Sequence, residues 1–392
     1  MADRSSLKPS TVILISLDTL RADVAYSNKF PSINRLMSEG THFRNCVSSS
    51  PITPISHATV LTGLQPYNHG IRHLFRESLR PEVSTLAGIF KQMGYRTGAV
   101  VAGPGLHSWY GLNQGFEHYD DELPLLPDGS DPLATVDVKT RGAAKRRAET
   151  VVESALAWLD SIGQDPCFQF VHFFDAHWPY EAPRQFISTT DNSYEGEVAY
   201  MDHYLGGYLD ELARRGRLKD SLLVCFSDHG EDLEGLYSND HAGAALGHPE
   251  ESGHGCLLFD ATLMVPLIFR MPSVVPSGLS IKSQVRLVDI ASTICDLVSI
   301  GGLTSLDGCS LSPAFSGQVL ESCFAYSETL YPREQYEVNG LFPNAKNLKA
   351  VRIDNRYKVI WDLDGDGVTF YDLLENPGEH ESQKILDRLS IP

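Results

Sequence analysis

The sequence predicts an α/β protein, with a mostly parallel central sheet covered by helices on both faces and a small C-terminal antiparallel α+β subdomain. Three apolar runs predict the sheet. Residues 12–17 end at Asp18, residues 168–174 end at Asp175, and residues 221–226 continue into Ser227-Asp228-His229. Such runs, rich in β-branched and aromatic residues, read as strands buried on both faces of a parallel sheet. Between them, apolar residues recur at helical spacing, the alternation that builds a sheet covered on both sides. Near residue 315 the pattern changes to short strand-like segments with hairpin connections, which predicts the subdomain.

The elements follow in chain order. Residues 1–10 are polar and read as a loose leader. Residues 31–38 and 82–93 read as helices, and 98–102 as a strand. The polar stretch 120–143, with several Pro, Gly and Asp, reads as an excursion over the surface. Amphipathic helices are predicted over 144–162, 196–215 and 287–298. The loop 231–253, rich in Gly and Glu, is long for a connection without structure of its own, and such loops are uncommon unless functional. It is expected to form a wall of the pocket and to influence substrate choice. Short strands are expected at 324–327, 350–354, 357–362 and 368–371, and the aromatic stretch 331–347 is expected to overhang the site. The predicted division is a catalytic domain over 11–314 and a small subdomain over 315–392, within the about two to three domains that 392 residues suggest.

Composition narrows the function. The formal net charge of -18 argues against nucleic acid and anionic membranes as partners, because both select basic patches. A small anionic substrate stays open, since a bound cation dominates its local field. No segment approaches the ~20 apolar residues of a membrane span. Seven scattered cysteines and no visible secretory signal point to a reduced, cytoplasmic protein.

Two apparent motifs are rejected. Asp362-Leu363-Asp364-Gly365-Asp366-Gly367 begins like a calcium loop, but the position that requires Glu is Leu373, and strand-like segments flank it. It reads as a hairpin turn. Cys46, a lone cysteine before Ser50-Pro51, lacks the flanking Pro and Arg spacing of a cysteine modified for catalysis.

The chemistry centres on Ser50-Pro51-Ile52-Thr53-Pro54-Ile55-Ser56-His57-Ala58-Thr59-Val60-Leu61-Thr62-Gly63. Thr53 stands just before an apolar run that ends in Thr-Gly, as a nucleophile at a helix N-terminus does. Free amides and the helix dipole favour an anion there. A threonine hydroxyl needs a lowered pKa to attack, which a neighbouring divalent cation supplies. Asp18, Asp175, Asp228 and His229 at the strand ends are candidate ligands, since ligands of open α/β sheets bind beyond the carboxyl ends of the strands.

These segments resemble the alkaline phosphatase superfamily, and within it the sulfatase-like branch, over most of the chain. Asp18-Thr19-Leu20-Arg21-Ala22-Asp23 resembles the first metal-binding strand end, and residues 53–63 the nucleophile segment. Gly94-Tyr95-Arg96-Thr97-Gly98 and Gly111-Leu112-Asn113-Gln114-Gly115-Phe116 resemble spacer segments. Ser227-Asp228-His229-Gly230-Glu231 resembles the second metal strand end, His254-Gly255 the late histidine segment, and residues 371–379 the closing motif. The departures matter as much. Type I sulfatases carry Cys or Ser, converted to formylglycine, with Arg four residues later; here those positions are Thr53 and His57. Sulfatases place two adjacent aspartates at the first strand around one calcium, and here the second is Thr19. Thr53 with His57 is similar instead to the Thr-x-x-x-His of nucleotide pyrophosphatase/phosphodiesterases, which use two metals.

The resemblance implies a metal-dependent hydrolase of phosphate esters acting through a phospho-threonine on Thr53, with a small anionic ester as substrate. Two divalent ions, zinc or manganese, are expected. One would be held by Asp18, Asp228 and His229 beside Thr53, the other by Asp175, His254 and His177. His177 either binds that metal or contacts the ester oxygens. His57 is expected to contact a non-bridging oxygen or the leaving group. His248 is placed in the loop around the site, and Arg72 either helps to bind an anion or is a solvated loop charge, the second reading being preferred. The alternatives are a sulfuric-ester hydrolase with a single calcium, a phosphomutase of the same superfamily, and a catalytically silent binding protein of the same fold.

Overall fold

A computed structural model describes residues 8–233, 253–301, 303, 305–341, 346–365 and 367–379. Eight strands form the main sheet: β1 (Thr11–Leu17), β2 (Thr41–Val47), β3 (Arg96–Val100), β4 (His118–Asp120), β5 (Cys167–Phe173), β6 (Ser221–Phe226), β7 (Met264–Arg270) and β8 (Leu279–Arg286). Their order is β4-β3-β5-β1-β6-β7-β2-β8. β7 pairs antiparallel with β6 and β2, and the other pairings are parallel, so the sheet is mostly parallel as predicted.

The apolar runs are continuous because both faces of the central strands are buried. Val12 and Leu14 of β1 join one core with Phe168 and Phe170 of β5 and Leu222, Val224 and Phe226 of β6. Ile13, Ile15 and Leu17 join the other, with Val171, Phe173, Leu223 and Cys225. Helices Leu86–Gln92 and Asp289–Leu297 cover the first face, and Pro31–Glu39, Ala148–Ser161 and Ser193–Arg214 the second. No described helix is long and apolar enough to cross a membrane.

The helix Thr53–Thr62 enters the first core with all ten residues buried. It starts with Pro near its N-terminus, where the missing amide costs nothing. It stops at Gly63, whose φ of 70° is left-handed and whose N–H donates to Thr59 O at 2.9 Å.

A second, antiparallel sheet has the order β12-β11-β10-β9, with β9 (Ala325–Thr329), β10 (Leu348–Ile353), β11 (Tyr357–Asp362) and β12 (Val368–Asp372). It is tied to the main sheet just ahead of the Thr53 helix. Ser327 Oγ donates to Ser48 O at 2.6 Å, and Glu328 N–H donates to Ser49 O at 2.9 Å. Arg72 is not a solvated charge. Its guanidinium makes two 2.7 Å hydrogen bonds to the buried Glu328, a charge-assisted pair across the two sheets that a local reading around Arg72 does not anticipate. The stretch 120–143 also departs from a plain surface excursion, since it begins in β4 and ends in a short helix, Val138–Gly142, beside the site.

Candidate active site

The register of β5-β1-β6 gathers the strand ends. Leu17 pairs with Phe173 and Ser16 with Phe226, so the residues that follow each strand emerge side by side at one edge of the sheet. Asp18, Asp175, Asp228 and His229 are fully buried there.

Asp228 Oδ1 accepts from Thr19 N–H at 3.2 Å and from His229 N–H at 2.9 Å, while Oδ2 has no hydrogen-bond partner. That free oxygen lies 3.4 Å from His229 Nε2. Asp18 Oδ1 is 4.0 Å from the same nitrogen and accepts from Thr19 Oγ1 at 2.6 Å. His172 Nε2–H donates to Asp18 Oδ2 at 2.9 Å, its other nitrogen accepting from Ala102 N–H. Thr19 is held at φ 63°, a left-handed conformation unfavourable for a β-branched residue, by Asp18, Asp228 and the Tyr194 hydroxyl on its carbonyl.

Thr53 Oγ1 lies 3.2 Å from His229 Nε2. His229 Nδ1–H donates to Gly230 O at 2.9 Å, so Nε2 carries the lone pair and the threonine hydroxyl donates to it. Burial lowers the His229 pKa to about 3, with the neighbouring His254 adding to the shift and Asp18 opposing it. For Asp18, burial opposes ionisation, but the His172 hydrogen bond and the nearby imidazoles outweigh it and hold the carboxyl below its usual range. Asp228 is raised well above its usual value by burial and then by Asp18. Two buried carboxylates this close are not both ionised without a cation between them.

That shortfall is the test of metal fit. Among the described residues, one group of acidic and histidine side chains brings ligand atoms within 4.8 Å of one another: Asp18, His57 and Asp228. His57 Nδ1, 3.5 Å from Asp228 Oδ2, already donates to Thr53 O at 2.8 Å, while Nε2 accepts from Ser16 Oγ at 2.8 Å. Asp228 Oδ2 thus stands between two imidazoles, 3.5 Å from His57 Nδ1 and 3.4 Å from His229 Nε2, with Thr53 Oγ1 beside the second. An orphaned buried carboxylate oxygen costs ~1–3 kcal/mol, which a divalent ion there would relieve. Two carboxylates with an imidazole suit zinc or manganese.

Asp175 faces a different partner. Its Oδ1 lies 3.2 Å from Arg147 Nε and accepts from Ala148 N–H at 3.2 Å; Oδ2 is unpartnered. Burial pushes its carboxyl up to about 6, against the pull of Arg147 and Lys145. Lys145 Nζ donates to Asp175 O, His177 O and Pro179 O at 3.1, 3.0 and 2.6 Å and so fixes the segment that carries both site residues. His177 stacks on Phe174 at 4.2 Å and stands 5.1 Å from the His254 ring. His254 in turn lies 4.2 Å from the His229 ring, with Nδ1 3.1 Å from the buried Glu231. Asp175 thus turns to Arg147, while His177 and His254 pair with each other, outside the convergent set.

A pocket of about 570 Å³, part of it open to solvent, lies over Thr53, with His177, His254, Tyr331 and Arg141 in its walls. Tyr331 opens the helix Tyr331–Asn339, so the aromatic stretch does reach the site. Of the loop 231–253, residues 234–252, including His248, lie outside the described residues. Sequence reasoning passed over His172, Lys145, Arg147, Glu231 and Arg141. A histidine inside the apolar strand of His172 and three consecutive basic residues opening a helix at Lys145 were readable signals. Glu231 closes the segment Ser227-Asp228-His229-Gly230-Glu231 without a role of its own there, and Arg141 carried no signal.

Comparison with known proteins shows the family and the fold. The family described as Sulfatase matches residues 10–300, and the N-sulphoglucosamine sulphohydrolase C-terminal family matches residues 255–388. Arylsulfatase H of Homo sapiens is 24% identical, over 80% of this chain and 74% of its own. The phosphonate monoester hydrolase of Agrobacterium radiobacter superposes with a TM-score of 0.73 at 21% identity, covering 95% of this chain and 91% of that one. That of Silicibacter pomeroyi gives 0.71 at 20%, covering 95% and 90%.

Proposed function

Because the chain belongs to the sulfatase family, we propose that it is a metal-dependent hydrolase of phosphate esters, monoester or diester, working through a covalent phospho-threonine on Thr53. The observation that carries this reading is the hydroxyl of Thr53 at the first turn of a buried helix, hydrogen-bonded at 3.2 Å to His229 and bordering the pocket. A threonine cannot become the aldehyde hydrate on which the resemblance bases sulfate hydrolysis, but it can accept a phosphoryl group directly.

Asp18, Asp228 and His229 would hold one divalent ion, with His172 orienting Asp18. When bound, such an ion lowers the pKa of a neighbouring hydroxyl and offsets charge on the ester oxygens. Thr53 Oγ1, its proton released to water in the open pocket, would bond to phosphorus as the bond from phosphorus to the alcohol oxygen breaks. The amides opening the Thr53 helix favour the anionic oxygens. His254, tied through Nδ1 to Glu231, offers Nε2 for the proton that the leaving alcohol takes up. His177, whose Nδ1–H donates to Trp178 O at 2.6 Å, keeps its Nε2 for water that cleaves the phospho-threonine and restores Thr53. His57 works from beneath, fixing the Thr53 carbonyl and Ser16, not by touching the ester. Arg147 takes the cationic place beside Asp175, so one ion per chain is the proposed stoichiometry.

The phosphonate monoester hydrolases among the structural neighbours support a phosphorus ester. The second reading, a sulfuric-ester hydrolase, is supported by relatives that are arylsulfatases. Turnover of 4-nitrophenyl phosphate, bis-4-nitrophenyl phosphate and 4-nitrophenyl sulfate by manganese- or zinc-loaded protein separates the two. Preference for either phosphate supports the threonine route, and preference for sulfate replaces it.

A further inference from the structure

The one arginine or lysine among the described residues that line the Thr53 pocket is Arg141. It sits in the short helix Val138–Gly142, between β4 and the helix Ala148–Ser161. Its guanidinium stands 5.3 Å from the centroid of the Phe75 ring, and its Nε is buried without a hydrogen-bond partner. A guanidinium is always charged, and an unmatched buried N–H on one is costly unless a ligand completes it. The helix is fixed against the site. A Cβ on Gly142 would meet His177 Cε1 at 2.9 Å, and Asn339 Nδ2 donates to Val136 O at 3.2 Å from the neighbouring helix. The rest of that wall is apolar or aromatic: Leu74, Tyr110, Val138, Phe174 and Tyr331.

We propose that Arg141 is a substrate-binding residue whose guanidinium holds the anionic oxygens of an ester with an aromatic or apolar organic group. This rests on the hydrolase reading of the Thr53 site and adds the substrate class to it. Arg141 supplies the planar, permanently charged donor set that pairs with phosphate oxygens. The apolar walls accept a ring or alkyl chain, whereas the hydroxyls of a sugar would be stripped of water there with few partners among the described residues.

The test uses metal-loaded full-length protein, wild type beside Arg141→Met and Arg141→Lys. Calorimetric binding of phenylphosphonate and of inorganic phosphate is measured with kcat and KM for the 4-nitrophenyl ester that the wild type prefers. Wild-type rates on that aryl ester and on glucose 6-phosphate or glucose 6-sulfate are compared. The expected result is a Kd and KM raised by ~10-fold or more in Arg141→Met, with kcat changed less, the thermal midpoint kept, and Arg141→Lys intermediate. The aryl ester is expected to be favoured over the sugar ester by ~10²-fold. Unchanged Kd and KM in Arg141→Met, or in Arg141→Lys should the first variant not fold, would overturn the role of Arg141. A preferred sugar ester would overturn the apolar substrate class. Wild-type protein that binds phenylphosphonate through Arg141 but cleaves none of the esters would sink the hydrolase reading while supporting the binding site.

Discussion

Thr53 Oγ1 and His229 Nε2 are 3.2 Å apart, although 176 residues separate them in the chain. The contact exists because the parallel strand β6 ends beside β1, and the Thr53 helix starts where that edge of the sheet opens. Both partners are buried, with the threonine 7% exposed at the pocket floor. Removing the hydroxyl should therefore remove chemistry and spare the fold. Thr53→Ala is expected to lose at least ~10³-fold in kcat with an unchanged circular dichroism spectrum, and Thr53→Ser to keep measurable turnover. Near-normal rates in Thr53→Ala would rule the residue out as nucleophile.

The orphaned Oδ2 of Asp228 predicts where metal is lost. Asp228→Asn should bind less metal after dialysis, before any large change in thermal midpoint. Asp175→Asn should leave the metal content unchanged, because Asp175 Oδ2, unpartnered like that of Asp228, already has the Arg147 guanidinium as a cation beside its Oδ1. Elemental analysis of the three proteins decides this, and two ions per wild-type chain would contradict the single-ion proposal.

His172 is fully buried, and its Nε2–H fixes Asp18 at 2.9 Å. Residues that orient metal ligands typically change affinity by about 10- to 100-fold. His172→Phe should weaken metal binding by that factor in a competition titration. A wild-type affinity in this variant would make His172 a core residue only.

The fold was legible where burial on both faces writes itself into composition. The runs of β1, β5 and β6 have few polar residues because each face meets a separate core, so strand identity and the acids at the strand tips could be read together. The direction of a carboxylate could not. Asp175 follows its strand as Asp18 does, but its partner Arg147 arrives from the start of the helix Ala148–Ser161, a relation that no local pattern encodes. His57 shows the same limit. Its spacing from Thr53 suggested a substrate contact, whereas the turn of the helix carries it underneath, against Ser16 and between Phe170 and Phe226.

Gly142 predicts a steric route to lost activity. Its missing side chain leaves room for the His177 ring, which a Cβ would meet at 2.9 Å. Gly142→Ala should shift that ring and lower kcat/KM by up to ~10²-fold, with metal content unchanged. Unchanged kinetics would mean that His177 has slack in its position or no part in turnover.

The pH dependence of stability has a source away from the metal. His69 is fully buried, its Nδ1 accepting from Ile71 N–H at 3.1 Å, and burial lowers its pKa from 6.5 to about 3. The unfolded chain takes up this proton near pH 6.5 and the folded chain does not, so the stabilisation is complete above that value. It falls as the pH drops from 6.5 towards 3, by up to ~1.4 kcal/mol per pH unit. Urea midpoints of wild type and His69→Gln between pH 4 and 7 should converge as the pH falls. A constant difference across that range would show that His69 does not contribute this slope.

A covalent route through Thr53 leaves a phosphoryl group on its Oγ1 during turnover. Metal-loaded protein mixed with excess of its preferred nitrophenyl phosphate ester is quenched in acid within a turnover, digested, and the peptide carrying Thr53 is fragmented in a mass spectrometer. One phosphoryl group on Thr53, absent in Thr53→Ala and in protein stripped of metal, is the predicted result. Steady turnover of the ester with Thr53 unmodified at every quench time, or with the group on another residue, would contradict it.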